Sequence, residues 1–257
     1  MIHAVFFDVD GTLVSHTQHA VPASTRRALE KLRRKGVKRV VATGRHILEL
    51  SMLPVKDIDF DGYITLNGQL CLDAQGNVIS SSPITGLDKE KIVQLFTERT
   101  VPVMLVEKEA MYCNFINQSV AIAQQAISTE IPDVGVYTGK EIYQAIIYLE
   151  KGSEDIISSQ LSGCKITRWN DYAVDVISRL GGKASGIKEY LLLNHIGREE
   201  SMAFGDGEND IEMLKFVQTG VAMGNADDLV KGSSDFVTDG VDKDGIEKAL
   251  IQLGVIE

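Results

Sequence analysis

The 257-residue sequence predicts an α/β protein, with a parallel-sheet core and an α+β segment inserted into it. Three observations carry that expectation. Short apolar runs of strand character alternate with amphipathic helical stretches over the first third of the chain. The same alternation returns in the last third. Between them, from about residue 82 to 182, helices and β-type runs follow a different order. Strands joined through helices of roughly 10 to 15 residues need right-handed crossovers and pair in parallel, which makes the core Rossmann-like.

Taken in order, residues 2–7 are an apolar run and read as a buried strand. Residues 22–35 (PASTRRALEKLRRK) read as a helix, with Pro22 near its start, Ala28, Leu29 and Leu32 on its apolar face, and Gly36 ending it. VKRVVATGR predicts a second strand ending at Thr43, followed by a short helix over 46–53. GYITLNG predicts a third strand, and QLCLDAQGNVIS a hairpin around Gln75, Gly76 and Asn77. The last third reads helix 183–195, strand SMAFG, helix 208–216, strand GVAMG, helix 226–232, strand DFVT, helix 244–253. The middle carries amphipathic helices over 87–99 and 117–129, with β-type runs VPVMLVEK, YQAIIYLE and YAVDVIS. That mixture suits an antiparallel sheet. The expected domains are 1–81 joined to 183–257, and 82–182 inserted between them. No internal repeat or low-complexity segment interrupts this order.

Composition bounds the partners. The hydrophobic share of 44% and charged share of 24% are ordinary for a globular protein, and the chain is long enough to bury a large core. A net charge of −10 argues against a nucleic-acid backbone or an anionic membrane as main partner. An acidic protein binds an anionic small molecule only through a local device: a metal ion, a helix N-terminus, or a few placed cations. Residues 26–39 hold eight Lys or Arg and read as a solvated helix face. Cys71, Cys113 and Cys164 are odd in number and without a CxxC pair, so they read as free thiols in a reducing cytoplasm. The first apolar run has no basic flank and breaks at Asp8, too early for a signal peptide, and no window approaches a membrane span. The expected state is a monomer or weak homodimer.

VFFDVDGTLV raises the chemical question. Asp8 and Asp10 lie two positions apart, so they are expected to point to the same side of an extended segment, where two carboxylates crowd one region. AFGDGENDIEML repeats the pattern: an apolar strand ends in Asp206, and Asp210 follows at a helix start. Ligands of parallel sheets bind beyond the carboxyl ends of the strands, the edge that would carry Asp8, Asp10, Thr43 and Asp206. Crowded carboxylates with no His or Cys beside them suit Mg²⁺ and speak against zinc. ATGR adds the Thr43 hydroxyl, the Gly44 amide and the Arg45 guanidinium, and Lys183 opens a helix in GGKASGI. Carboxylate, metal, lysine and backbone amides around one phosphate make a phosphoryl-transfer site.

The order DVDGT, ATGR, GGKASG, GDGEND resembles the four motifs of the haloacid dehalogenase superfamily of phosphohydrolases. VPASTRRALEKLRRKGVKRVVATGR, GYITLNG and GVAMGNADDLVK with DFVTDGVDKDGI resemble its Cof-type branch of sugar-phosphate phosphatases, which carry a large α/β cap. In the inserted segment the resemblance rests on length, layout and the RWNDYAVDV strand. It implies that Asp8 is the nucleophile and becomes an aspartyl-phosphate, while Asp10 protonates the leaving alcohol and then activates water. It implies a Mg²⁺ held by the Asp8 carboxylate, the Asp10 carbonyl and Asp206, with Asp210 in support or binding through water. Thr43, Gly44, Lys183, Asn209 and the amides of Val9 and Asp10 would hold the phosphoryl group.

Other residues invite plainer readings. Arg45 is either a substrate or cap-closing contact or a helix-end ion pair, and Asn67 either a turn residue or close to substrate. His16 and His19 read as solvated loop residues, and Trp169 as packing in the cap. A sugar phosphomutase and a non-catalytic phosphate-binding module are the alternatives. Isomer formation without phosphate release would mark the first. Silence against a broad substrate panel would mark the second.

Overall fold

The computed structural model describes residues 1–127 and 129–257, residue 156 by its backbone alone. The fold is α/β with a largely parallel core sheet. β1 (Ala4–Phe7) is wholly buried, as its apolar run requires. α1 (Ala23–Arg34) starts after Pro22, whose fixed φ suits a helix entry, and buries Ala28, Leu29 and Leu32. β2 (Lys38–Ala42) follows, then α2 (Ile47–Leu50), which His46 caps by accepting the Leu48 N–H. α2 is shorter than the expected 46–53 because Pro54 disfavours helix in the residue before it. β3 (Gly62–Thr65) stops short of LNG, which turns out of the sheet with the Gln69 N–H donating to the Leu66 carbonyl. β4 (Leu70–Asp73) and β5 (Val78–Ser81) form the expected hairpin, in which Asp73 Oδ1 accepts the Gln75 and Asn77 amides.

Then come α3 (Gly86–Glu98), β6 (Val103–Val106), β7 (Met111–Cys113) and α4 (Gln118–Ala126). The helix expected over 117–129 thus ends at Ala126, and its position 128 lies outside the described residues. β8 (Gln144–Ile147), α5 (Asp155–Ser158), β9 (Cys164–Asn170) and β10 (Ala173–Ser178) complete the insertion. RWNDYAVDV, read as one strand, is in fact a hairpin. Asn170 Oδ1 accepts the Tyr172 amide and reverses the chain there. The C-terminal series is α6 (Lys183–Leu193), β11 (Ser201–Gly205), α7 (Ile211–Phe216), β12 (Thr219–Ala222), α8 (Asp228–Lys231), β13 (Phe236–Val237) and α9 (Gly245–Gln252).

The chain divides into two compact units, Met1–Ser81 with Gly182–Glu257, and Ser82–Gly181. The first holds an eight-stranded sheet in the order β13-β12-β11-β1-β2-β3-β4-β5, parallel except where β4 pairs antiparallel with both β3 and β5. From β1 the chain builds outward through β2 and β3, and later through β11 and β12 on the other side. The strand order therefore reverses between β1 and β11. Alternation along β1 sends Val5 and Phe7 to a core shared with α1 and α9, and Ala4 and Phe6 to one shared with α6 and α7.

The second unit holds an antiparallel five-stranded sheet, β7-β6-β8-β10-β9, with one hydrophobic core. Val103, Leu105, Ala145, Ile147, Val174 and Val176 face it from alternate strand positions, with Ile92 and Phe96 from α3. Trp169 is half-buried in this unit and donates its indole N–H to Asp175. His16 and His19 are exposed, and the three cysteines are free and buried. No helix of the described residues is long and apolar enough to cross a membrane.

Candidate active site

The carboxyl ends of β1, β2 and β11 bring the acids, the threonine and the lysine together. Asp8 directly follows β1, and its backbone N–H donates to the Phe204 carbonyl of β11. Lys183, the first residue of α6, is completely buried. Its Nζ donates to Asp8 Oδ1 at 2.7 Å and to Asp210 Oδ1 at 2.5 Å. Asp210 Oδ2 accepts the amides of Asp206 and Gly207, both at 2.9 Å. Both oxygens of Asp210 are thus engaged by protein groups, which makes this buried acid an organiser of the site.

Asp206 is held from two directions. Thr12 Oγ1 donates to its Oδ1 at 2.7 Å and Asn225 Nδ2 to its Oδ2 at 3.1 Å. Gly11 has a φ of +84°, and a β-carbon there would lie 2.1 Å from Asp206 Oδ2. Glycine is required because the carboxylate occupies that space. Asn225 also donates to the Gly11 carbonyl and accepts the Val241 amide, each at 2.9 Å. Thr12 and Asn225 were not singled out from the sequence; the DGT and GNA strings that contain them were the only signal.

Burial leaves this cluster electrostatically unfinished. It pushes the Asp8 carboxyl well above the usual range, with Asp210 adding to the effect and Lys183 opposing it. Asp206 is pushed up to about 6, chiefly by burial, against the Thr12 hydrogen bond. Burial also disfavours the Lys183 ammonium, but Asp210 and Asp8 outweigh it and hold its pKa above the usual lysine range. One ammonium faces three acids. Carboxylate oxygens of Asp8, Asp206 and Asp210 lie within 4.8 Å of one another, a hard, all-oxygen set without His or Cys that fits a divalent cation such as Mg²⁺.

The other residues expected to hold phosphate follow the ends of the same strands, β1, β2 and β11. Among the described residues the amides of Val9, Asp10 and Gly44 have no hydrogen-bond partner, while those of Asp8, Gly11 and Thr43 do. Thr43 is buried and its Oγ1 accepts the Arg45 amide at 3.1 Å. Asn209 donates through Nδ2 to Asn67 Oδ1 at 3.0 Å. Arg45 forks onto Asp10, Nε to Oδ2 at 3.0 Å and Nη2 to Oδ1 at 3.1 Å, while Nη1 reaches Glu49 at 3.2 Å. Burial disfavours the guanidinium charge, and Asp10 and Glu49 hold its pKa above the ordinary arginine value. Arg45 is thus ion-paired to Glu49 of α2 and to the second acid of the DVD pair.

The protein-family model of haloacid dehalogenase-like hydrolases matches residues 5–250. YkrA of Bacillus subtilis is 30% identical over 256 residues, covering 98% of each chain. The solved structure of BT1666 from Bacteroides thetaiotaomicron, described among phosphatases of that superfamily, is 36% identical with a TM-score of 0.90, covering 100% of this chain and 96% of its own. The sugar phosphatase BT4131, of subclass IIB, is 36% identical with a TM-score of 0.85, covering 98% of this chain and 99% of its own. The chain belongs to the haloacid dehalogenase-like hydrolase family.

Proposed function

We propose that this chain is a Mg²⁺-dependent phosphatase that hydrolyses small phosphorylated metabolites, sugar phosphates foremost, through a phosphoryl group carried on Asp8. The observation that carries the reading is Lys183 buried between Asp8 and Asp210, beside a cluster whose charge one lysine cannot balance. The sugar-phosphate preference is supported by the 36% identity to a named sugar phosphatase. Substrate selection is assigned to the inserted unit, 82–181.

Mg²⁺ held by the Asp8 and Asp206 carboxylates and the Asp10 carbonyl would supply positive charge against the phosphoryl oxygens. Lys183 favours the ionised form of Asp8, which a carboxylate nucleophile needs. The Asp8 oxygen not held by Lys183 attacks phosphorus, the P–O bond to the alcohol breaks, and the alcohol oxygen takes a proton from Asp10. Water then attacks the same phosphorus as Asp10 accepts its proton, and the Asp8 carboxylate leaves with free phosphate formed. The amides of Val9, Asp10 and Gly44, with Thr43 and Asn209, hold the non-bridging oxygens. The Arg45 fork suits the proton-accepting half of this cycle, because both Asp10 oxygens act as acceptors in it. Proton donation requires the fork to open.

The test is phosphate release over sugar phosphates, nucleotides and cofactor phosphates, with and without Mg²⁺, using Asp8→Asn as control. Turnover is expected only with the metal, and the near-isosteric Asp8→Asn protein should fold normally and lose at least about a thousandfold in kcat. Full activity after exhaustive chelation would defeat the metal reading, and more than a few percent of wild-type kcat in Asp8→Asn the nucleophile assignment.

A further inference from the structure

Leu66, Asn67 and Gly68 are three successive residues with positive φ: 52°, 53° and 84°. Left-handed backbone is strained for leucine, and such a run persists only where the surroundings hold it. This one is held from several sides. The Leu66 amide donates to the Arg45 carbonyl at 3.1 Å and the Asn67 amide to the Thr43 carbonyl at 3.0 Å. A β-carbon on Gly68 would lie 1.9 Å from the Gly182 carbonyl oxygen and 2.9 Å from the Lys183 nitrogen, so the turn packs directly on the backbone that launches Lys183. The Asn67 amide group lies over Gly44, where a β-carbon would come within 3.2 Å of it. Asn67 Oδ1 also accepts the Asn209 amide.

One three-residue turn therefore touches the segments that bear Thr43, Gly44, Lys183 and Asn209. We propose that the Leu66–Gly68 turn sets the register of the anion cradle, with Asn67 as a positioning residue that orients Asn209 toward the phosphoryl oxygens. Asparagine suits this place twice: it tolerates left-handed backbone, and its side-chain oxygen takes one of the two Asn209 Nδ2 protons. The amide plane of Asn209 is then fixed, and its second proton points in a set direction. Without that bond the exposed Asn209 side chain samples several rotamers, and its grip on phosphate weakens.

The inference rests on the phosphatase reading and deepens it. Asn67→Gly is the informative substitution, because glycine keeps the left-handed backbone and deletes only the side chain. Asn67→Gly and Asn209→Ala should each lower kcat/KM for an aryl phosphate by about tenfold, carried mainly by KM, since the contact is made in ground and transition states alike. The inhibition constant of inorganic phosphate should rise by the same factor, with melting temperatures near wild type. The double variant should lose no more than Asn209→Ala alone, as expected when one residue acts through the other. Asn67→Asp, which also tolerates this backbone and still accepts from Asn209, should weaken inhibition by phosphate further through its charge.

Losses that multiply in the double variant would overturn the proposal, as would unchanged phosphate inhibition in Asn67→Gly. A wild-type protein that releases no phosphate would instead defeat the phosphatase reading itself, so the two failures are told apart.

Discussion

The two sheets bury polar groups in opposite ways. In the parallel unit the deepest polar groups are charged and out of balance: Asp8 and Asp210 share one ammonium from Lys183, and Asp206 stands beside them. In the antiparallel unit the buried networks around Asn114, Glu107 and Gln124 are paired, though Gln144 Oε1 on β8 is buried without a partner among the described residues. Asn114 is buried and makes four hydrogen bonds, accepting from Val103 and Phe115 and donating to Phe96 and Val101, which exhausts its amide. Glu107 receives the hydroxyls of Tyr112 and Thr138, and Gln124 donates to Tyr148. A satisfied network holds a fold together. An unsatisfied one is held by the fold, and on the proposed reading a cation and an anion would complete it.

The largest way to break this comparison removes one side of it. Replacing residues 82–181 with a short Gly/Ser linker should leave a folded core that still binds Mg²⁺ and phosphate. Sugar-phosphate kcat/KM should fall at least about 100-fold, because positioning of a poor leaving group contributes several kcal/mol. Aryl phosphates, which leave with less help, should lose much less. Sugar-phosphate turnover that survives the replacement would show that the insertion does not select substrate.

A smaller effect sharpens the structural half. Asn114→Ala orphans two amides and two carbonyls around β6 and α3 and should cost about 3 kcal/mol, the usual order for buried unpaired groups. Hydrogen exchange followed by peptide should show faster opening confined to 82–181, with the Lys183 and Asp206 segments protected as before. Uniform loss of protection across the chain would mean that the two units do not open independently.

The same contrast explains what could be read in advance. Each parallel strand is a short apolar run because helices cover both sheet faces, and an acid directly after such a run stands out. Asp8 and Asp206 were visible for that reason. Thr12 and Asn225 were not, because their role is set across the fold: Asn225 reaches Gly11, which lies 214 positions earlier in the chain. Arg45 was ambiguous because a guanidinium beside a phosphate site and one beside an acid look alike in sequence. In the insertion the long apolar runs gave β6, β8 and β10. β7 has three residues and β9 has only Cys164 fully buried, too little apolar signal to separate them from loops. The 170–172 reversal depends on one Asn side chain accepting the Tyr172 amide, which RWNDYAVDV does not advertise.

The smallest expected effect tests whether the unbalanced cluster is the metal site. Asp206 titrates near 6 in the folded, metal-free protein, above its ordinary 3.8, so folding favours its protonated form. The stability linked to this group is fully present below the unfolded pKa and is lost as pH rises through about 6. Asp8 shifts in the same direction, chiefly through burial. Lys183 is displaced upward, so its contribution is constant until well above this window. The metal-free protein should therefore weaken between about pH 4 and pH 7, and a cation that takes the place of those protons should restore what is lost. The rise in melting temperature on adding Mg²⁺ should be slight at about pH 5 and several degrees at about pH 8. Asp206→Asn has no charge to regain, so its Mg²⁺-induced rise should be small at both values. Differential scanning fluorimetry across that range measures the effect directly. An equal rise at both ends, or a full rise in Asp206→Asn, would place the cation elsewhere on the protein.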